Sequence, residues 1–462
     1  IRLTSADLAK AVIKGLRDSG VDVIDIGMCG TEEVYFATFS RQLDGGIMVT
    51  ASHNPLDYNG MKMVRSDAKP ISSDSGLKDI AQRVEANIQP TSGTQGKYTL
   101  DTDKAVFAKY LLDFTDISQL KPLKIVVNPG NSSAGLVLDL LEPHLPFEFV
   151  KICYEADGTF PNGIPNPLLP ENRSITSQAV IEHQADLGIA WDGDFDRCFF
   201  FDASGSFVEG YYLVGLLAQA LLENNPGESI IYDPRLTWNT QEMVQQLGGK
   251  ALQSKAGHAF IKDAMREHNA IYGGEMSAHH YFRDFAYCDS GMLPWLLLTS
   301  YLSTQQAGLS SLIKNAVTNY PCSGEINFTV ADIKANHEAE GLQDKLILAL
   351  ILFIIFVVSY VAMAWYDFYY NCDILPLQRG TKSLTGLLKP EVHSQKQINS
   401  INMSRGHIMI YASHIIFIVP LLMYIAYYKG KANKMIYPIL IVLAIFTLIY
   451  HGGAMIQGSH NL

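Results

Sequence analysis

The chain has 462 residues, 35 Lys+Arg and 46 Asp+Glu, for a net charge of −11. At ~150 residues per domain, that length suggests about three domains. The acid surplus excludes general nucleic-acid binding, which needs basic surface. With 48% apolar and 18% charged residues, the chain is too apolar to be disordered. Its six Cys (29, 153, 198, 288, 322 and 372) include no C-x-x-C. That excludes a zinc ribbon or a dense disulfide framework and points to a reducing compartment. The opening IRLTS is not a charged-then-apolar leader, so no secretory signal is expected.

In chain order, GGIMVTAS (45–52), LKIVVN (123–128), ADLGIAW (185–191), SIIYD (229–233) and AIYGG (270–274) read as short buried strands. QEMVQQLG, FIKDAMREH and MLPWLLLTSYL carry helical spacing. This alternation predicts parallel sheets with helices on both faces. Ligands in such sheets sit beyond the C-terminal ends of the strands, and each polar cluster described next follows a strand.

The first cluster is TASHNP (50–55), with Tyr58, Asn59, Gly60 and Lys62 behind it. Ser52, beside His53 and a cation, has the makings of a nucleophile or phosphoryl carrier. An ordinary Asn-Pro turn is the bland alternative, and on the serine alone it is preferred. The second cluster is WDGDFDR (191–197). On an extended backbone, Asp192, Asp194 and Asp196 point to one side. Three such carboxylates repel unless a cation sits among them, and hard oxygen ligands suit Mg²⁺. An EF-hand is excluded: its sixth place holds Arg197 and its twelfth Ala203. The third cluster is KAGH (255–258) with GGEMSAHH (273–280). Glu275 and Ser277, with His279 and His280 alongside, suit sugar hydroxyls, which donate and accept hydrogen bonds. Arg235 adds a cation for a phosphate. Phosphoryl transfer to a sugar fits this inventory, and no Walker loop is present to supply a nucleotide donor.

In these motifs the chain resembles the α-D-phosphohexomutases. TASHNP looks like the family's phosphoserine loop, DGDFDR its metal loop and GEMSAHH its sugar loop. GTEEVYFATF (30–39) and FPNGIPNPLLPE (160–171) are most similar to the bacterial phosphomannomutases of GDP-mannose synthesis. The resemblance runs from residue 1 to about residue 333. It implies a mutase that interconverts hexose 6-phosphate and hexose 1-phosphate through a phosphoserine at Ser52 and a 1,6-bisphosphate, which also serves as activator. It further implies Mg²⁺ held by Asp192, Asp194, Asp196 and the Ser52 phosphate. Lys62 and Arg197 match positions of proton transfer or electrostatic help. Arg235, His258, Glu275, Ser277 and His279 match substrate contacts, and Arg2 resembles the Arg of an early strand-end loop. Compared with the family pattern, the opening strand with its Y-D-I-R-G segment and the fourth domain with its R-x-S-N-T-E-P phosphate loop are expected to be missing. Reduced turnover is therefore expected, since positioning accounts for several kcal/mol of a barrier.

Beyond residue 345 the sequence changes character. Residues 346–462 hold 8 Lys+Arg and 3 Asp+Glu, a net +5, whereas residues 1–345 hold 27 and 43, a net −16. The runs 346–366, 406–428 and 435–456 are uncharged, and each meets the ~20 apolar residues that a spanning helix needs. Lys429, Lys431 and Lys434 place the loop between the second and third runs in the cytoplasm under the positive-inside rule. Three spans then leave the mutase-like part cytoplasmic.

The expected architecture is α/β: three doubly wound α/β domains, the first incomplete, followed by an all-α three-helix transmembrane segment. The boundaries expected are 1–103, 104–206 and 207–322, a linker at 323–345, and the membrane part at 346–462. Hexose phosphate, either mannose or glucose phosphate, and a lipid bilayer through 346–462 are the expected partners, with no nucleic acid. The competing reading is a non-catalytic, membrane-anchored sugar-phosphate binder or a fusion artefact.

Overall fold

The computed structural model describes residues 1–88 and 93–324. The expected membrane part, and all but the first two residues of the linker, lie outside the described residues. Among the described residues no helix is long and apolar enough to cross a membrane.

The first region runs α1 (Ser5–Asp18), β1 (Val23–Asp25), α2 (Thr31–Ser40), β2 (Gly45–Val49), β3 (Met61–Arg65), α3 (Lys78–Glu85) and β4 (Tyr98–Leu100). β1 pairs in parallel with β4, and β2 pairs antiparallel with β3. This region therefore holds two two-stranded sheets, not one doubly wound sheet. The strand expected over 45–52 stops at Val49 and buries only Met48. It is half of an antiparallel ribbon, which can leave one face to solvent, and so it does not need the apolar flanks of a buried parallel strand. α2 is the opposite case. Thr31 through Thr38 are all buried, as expected of a helix packed on every side.

The next two regions repeat one plan. β5 (Lys124–Asn128), β6 (Glu148–Lys151), β7 (Leu187–Trp191), β8 (Cys198–Asp202) and β9 (Phe207–Val208) form a sheet in the order 6-5-7-8-9. β10 (Ser229–Tyr232), β11 (Lys250–Gln253), β12 (Tyr272–Gly274), β13 (His280–Phe282) and β14 (Cys288–Asp289) form another in the order 11-10-12-13-14. In each sheet the first three strands pair in parallel, and the last two pairings are antiparallel. The sheets are thus mixed, where parallel ones were expected. α4 (Ala105–Asp113), α5 (Ala134–Leu141) and α6 (Ser174–Glu182) belong to the earlier region. α7 (Gly210–Leu222), α8 (Trp238–Gln246), α9 (His258–Glu267), α10 (Leu293–Gln305) and α11 (Leu309–Asn319) belong to the later one.

Burial explains the strand sequences. All five residues of β7 and all five of β8 are buried, including Phe199, Phe200 and Phe201. Strands covered on both faces read as continuous apolar runs. Trp191, at the end of β7, is fully buried and donates its indole N–H to the Gly291 carbonyl at 2.8 Å. That bond ties one five-stranded unit to the other beside the polar loops.

Those loops share one structural position. Residues 50–60 join β2 to β3, 192–197 join β7 to β8, and 275–279 join β12 to β13. Each connects antiparallel neighbours.

Candidate active site

Ser52 opens the first loop in a left-handed conformation, with φ +46°. Such a backbone costs a non-glycine residue about 1–3 kcal/mol and persists only where the surroundings enforce it. Thr50 Oγ1 accepts the Ser52 N–H at 2.9 Å. The buried Arg2 guanidinium donates to the carbonyls of Ser52 (2.8 Å) and Tyr58 (3.0 Å), and to those of Asn54 and Pro55. Arg2 thus acts here as a clamp on the loop backbone. Ser52 Oγ donates to Asp192 Oδ2 at 2.6 Å and lies 3.0 Å from His53 Nδ1. A hydroxyl and a carboxylate 140 positions apart in sequence therefore meet. Gly193 permits this approach, since a Cβ there would stand 2.4 Å from the Ser52 carbonyl oxygen.

The metal-type loop does not follow the extended path expected of it. Residues 192–196 form a turn, with Phe195 at φ +42°. The carboxylates converge because the chain folds around that point, rather than by strand alternation. Asp192, Asp194 and Asp196 are all buried, and one oxygen of each lies within 4.8 Å of the others. Asp194 Oδ1 and Asp196 Oδ1 are buried with no hydrogen-bond partner. Orphaned anionic oxygens of this kind are what a hard divalent cation satisfies, so the residues present fit Mg²⁺.

Cations surround the trio. Lys62, on β3, reaches Asp194 Oδ2 at 2.7 Å and also contacts Asp196. Arg197 donates to Asp192 Oδ2 through Nε (3.0 Å) and Nη2 (2.8 Å), and touches His53. Burial works against the charged form of Asp192, yet Arg197, His53, Lys62 and the Ser52 hydroxyl hold its carboxyl well below the usual range. Burial and the charge of Asp194 push Asp196 well above that range. Burial alone would lower the Lys62 pKa, but the aspartates outweigh it and keep the ammonium charged. Thr31, at the start of α2, was not singled out in the sequence. Its hydroxyl donates to Asp194 Oδ2 at 2.7 Å, and its N–H donates to the Asp194 carbonyl at 3.1 Å. No spacing rule links Thr31 to a loop 163 residues away.

The third loop lies against the second. Arg197 and His279 form an isolated antiparallel bridge. His279 Nε2 is 3.7 Å from Asp196 Oδ1, and its Nδ1 is 3.3 Å from Ser277 Oγ and 3.5 Å from Glu275 Oε2. Burial, then Arg197, push the His279 imidazole well below its ordinary pKa. Glu275 accepts the Gly257 N–H at 2.7 Å and the Tyr281 hydroxyl at 2.5 Å, and burial raises its pKa. His280 is not part of the site. It is fully buried, stacks on Tyr272 and meets that hydroxyl through Nδ1 at 2.7 Å.

Arg235 and His258 follow β10 and β11, at the C-terminal ends of parallel strands. Arg235 is partly exposed and donates to Asp233 through Nη2 (2.7 Å) and Nε (3.2 Å). Asp233 also accepts the Met276 N–H at 2.9 Å, which links the Arg235 turn to the 275–279 loop. His258 is the exposed first residue of α9, preceded by Gly257 at φ +115°.

Family models for the α/β/α domains of phosphoglucomutase/phosphomannomutase match residues 1–91 (domain I), 105–205 (domain II) and 209–320 (domain III). The chain belongs to the phosphoglucomutase/phosphomannomutase family. Among curated relatives, the phosphohexose mutases protein of Xanthomonas campestris pv. campestris is 60% identical over 339 residues, which are 72% of this chain and 75% of the relative. A phosphomannomutase of Escherichia coli K12 is 56% identical over 338 residues, 72% of this chain and 74% of the relative. The crystal structure of a phosphoglucomutase/phosphomannomutase family protein from Burkholderia thailandensis superposes with a TM-score of 0.63 at 35% identity. That match covers 68% of this chain and 69% of the other. This family member is an isomerase of the phosphomannomutase/phosphoglucomutase type, a hexose phosphate mutase.

Proposed function

We propose that the chain interconverts hexose 6-phosphate and hexose 1-phosphate, with mannose phosphate as substrate and Ser52 as phosphoryl carrier. The observation that carries the reading is the 2.6 Å contact between Ser52 Oγ and Asp192 at the edge of a buried aspartate trio. In the first half-reaction a sugar hydroxyl oxygen attacks the seryl phosphorus. The new P–O bond forms as the P–Oγ bond breaks, and the sugar proton returns to Ser52 Oγ. The bound 1,6-bisphosphate turns, and the other phosphoryl group returns to Ser52.

Asp192, Asp194 and Asp196, with the Ser52 phosphate, would hold Mg²⁺, which when bound neutralises the charge on the phosphoryl group in flight. Lys62, held by Asp194 and Asp196, gives electrostatic help or transfers a proton beside the serine. Arg197 holds Asp192 and His53 beside the serine. Glu275 and Ser277 read sugar hydroxyls, His279 lines the same pocket wall, and Arg235 and His258 contact the phosphate-bearing substrate from the rim. A hexose 1,6-bisphosphate primes Ser52. The three mutase domains end near residues 103, 206 and 322.

The test is turnover of mannose 1-phosphate with Mg²⁺ and a hexose 1,6-bisphosphate activator. Ser52→Ala abolishes exchange, and mass spectrometry finds phosphate on the Ser52 peptide of the wild-type chain. An unaffected rate in that variant removes Ser52 from the reaction. We also propose, on the three uncharged runs, that 346–462 holds the cytoplasmic mutase part at a bilayer. Recovery of the full chain in the detergent-free soluble fraction overturns this.

A further inference from the structure

Asp194 meets its surroundings unequally through its two oxygens. Oδ2 accepts the Thr31 hydroxyl and the Lys62 ammonium, each at 2.7 Å. Oδ1 is buried with no hydrogen-bond partner. Thr31 is fully buried and Asp194 almost so, so bulk water is kept from the contact. Thr31 bonds the same residue a second time. It is the first residue of α2, where an N–H has no partner within the helix, and that N–H donates to the Asp194 carbonyl at 3.1 Å.

These contacts do more than join two distant segments. An Asp carboxylate turns about χ2 in a broad, two-fold well, which exchanges the places of its oxygens. Lys62 does not settle that rotation alone. Its Nζ also contacts Asp196, and its side chain is 33% exposed on a long flexible stem. Thr31 is short, β-branched and stiff at χ1, and its backbone is tied to the same residue. The seat is tight as well: a Cβ on Gly30 would collide with the Phe195 ring, which is fully buried. Thr31 therefore decides which oxygen of Asp194 the protein uses and which it leaves over.

We propose that Thr31 is a positioning residue whose hydroxyl pins Asp194 Oδ2 and so reserves Oδ1 for the cation held by the aspartate trio. The claim rests on the Mg²⁺ reading of that trio. A group that bonds a metal-ligating carboxylate orients it, and its loss lowers metal affinity about 10–100-fold. Here the group comes from the first region and the carboxylate from the second, so the affinity of the cation site depends on how α2 is seated.

The experiment measures Mg²⁺ binding to the full chain by titration calorimetry, with every sample in one phosphorylation state checked by mass spectrometry. Thr31→Val keeps the shape and the N–H but removes the hydroxyl. It raises the Kd for Mg²⁺ by about 10–100-fold. Thr31→Ser, which keeps the hydroxyl, binds Mg²⁺ as the wild type does. A merely structural threonine would lower the melting temperature in Thr31→Val and leave the Kd where it was. Thr31→Ala removes the same hydroxyl with less bulk and decides the matter if Thr31→Val does not fold. Wild-type affinity in a folded chain without the hydroxyl overturns the proposal, and so does a loss in Thr31→Ser as large as in Thr31→Val. A wild-type chain that binds no Mg²⁺ overturns the metal reading of the trio and this proposal with it, which the variants alone would not do.

Discussion

Gly193 is the smallest residue at the site and among the most constrained. A Cβ there would lie 2.4 Å from the Ser52 carbonyl oxygen, which is backbone and cannot swing away. Gly193→Ala therefore forces the 50–60 and 192–197 loops apart, and overpacking of this kind costs about 1–3 kcal/mol. The same displacement lengthens the contact between Ser52 Oγ and Asp192. The expected outcome is at least a tenfold fall in kcat/KM, on the general sensitivity of reacting groups to ~1 Å errors, with a melting temperature only modestly lowered. Steady-state kinetics and a thermal scan check both. At this scale the sequence told much. The three aspartates were visible because alternate acids after an apolar strand are rare without a cation, whereas Ser52 alone read as an ordinary turn and stood out only through the family resemblance. Their convergence through a left-handed Phe195 was not visible, because the same spacing serves an extended chain and a turn. Thr31 and Asp233 carried no local signal, since their partners come from distant segments.

Among the elements, α2 shows how a helix start serves a site it does not line with catalytic groups. Thr31 holds Asp194, while the next residue, Glu32, is fully buried. Glu32 Oε2 accepts the Met292 N–H at 3.4 Å, and Oε1 has no partner. Burial pushes its carboxyl well above the ordinary range. The folded state thus keeps a proton that the unfolded chain loses, so this group's contribution to stability falls as pH rises from the ordinary carboxylate range toward the raised folded value. Glu32→Gln removes the titration. Its melting-temperature advantage over wild type should grow as pH rises above the ordinary carboxylate range, where an unfolded glutamate is ionised. Parallel slopes in the two proteins would count against it. The element order was legible from alternating apolar runs and helical spacing, and β5, β7, β10 and β12 pair in parallel as expected, whereas the antiparallel β8, β9, β13 and β14 were not foreseen. A signal was available: six residues separate β7 from β8 and five separate β12 from β13, and a parallel crossover needs a dozen or more.

Across the whole molecule, three regions each supply one loop, and none holds the site alone. The Trp191–Gly291 bond is one of the ties between them. Trp191→Phe leaves the Gly291 carbonyl without its indole donor in a dry setting, at a cost of about 1–3 kcal/mol. The expected result is a lower denaturant midpoint together with a fall in kcat, because the tie sits beside the aspartate loop. A stability loss with unchanged kcat would show that the tie holds the fold but not the loops. Assembly at this scale was the least legible level, because nothing in one loop's residues states which distant loop it faces.

The step from β7 to β8 and the step from β12 to β13 are the same address in two copies of one sheet plan. One copy placed Asp192, Asp194 and Asp196 there and the other placed Glu275, Ser277 and His279, with the strands on either side unaltered in order and direction. A scaffold built this way lets evolution rewrite one jaw of the cleft while the opposite jaw keeps its grip. Preference for one sugar over another can then drift without disturbing the seat of the cation.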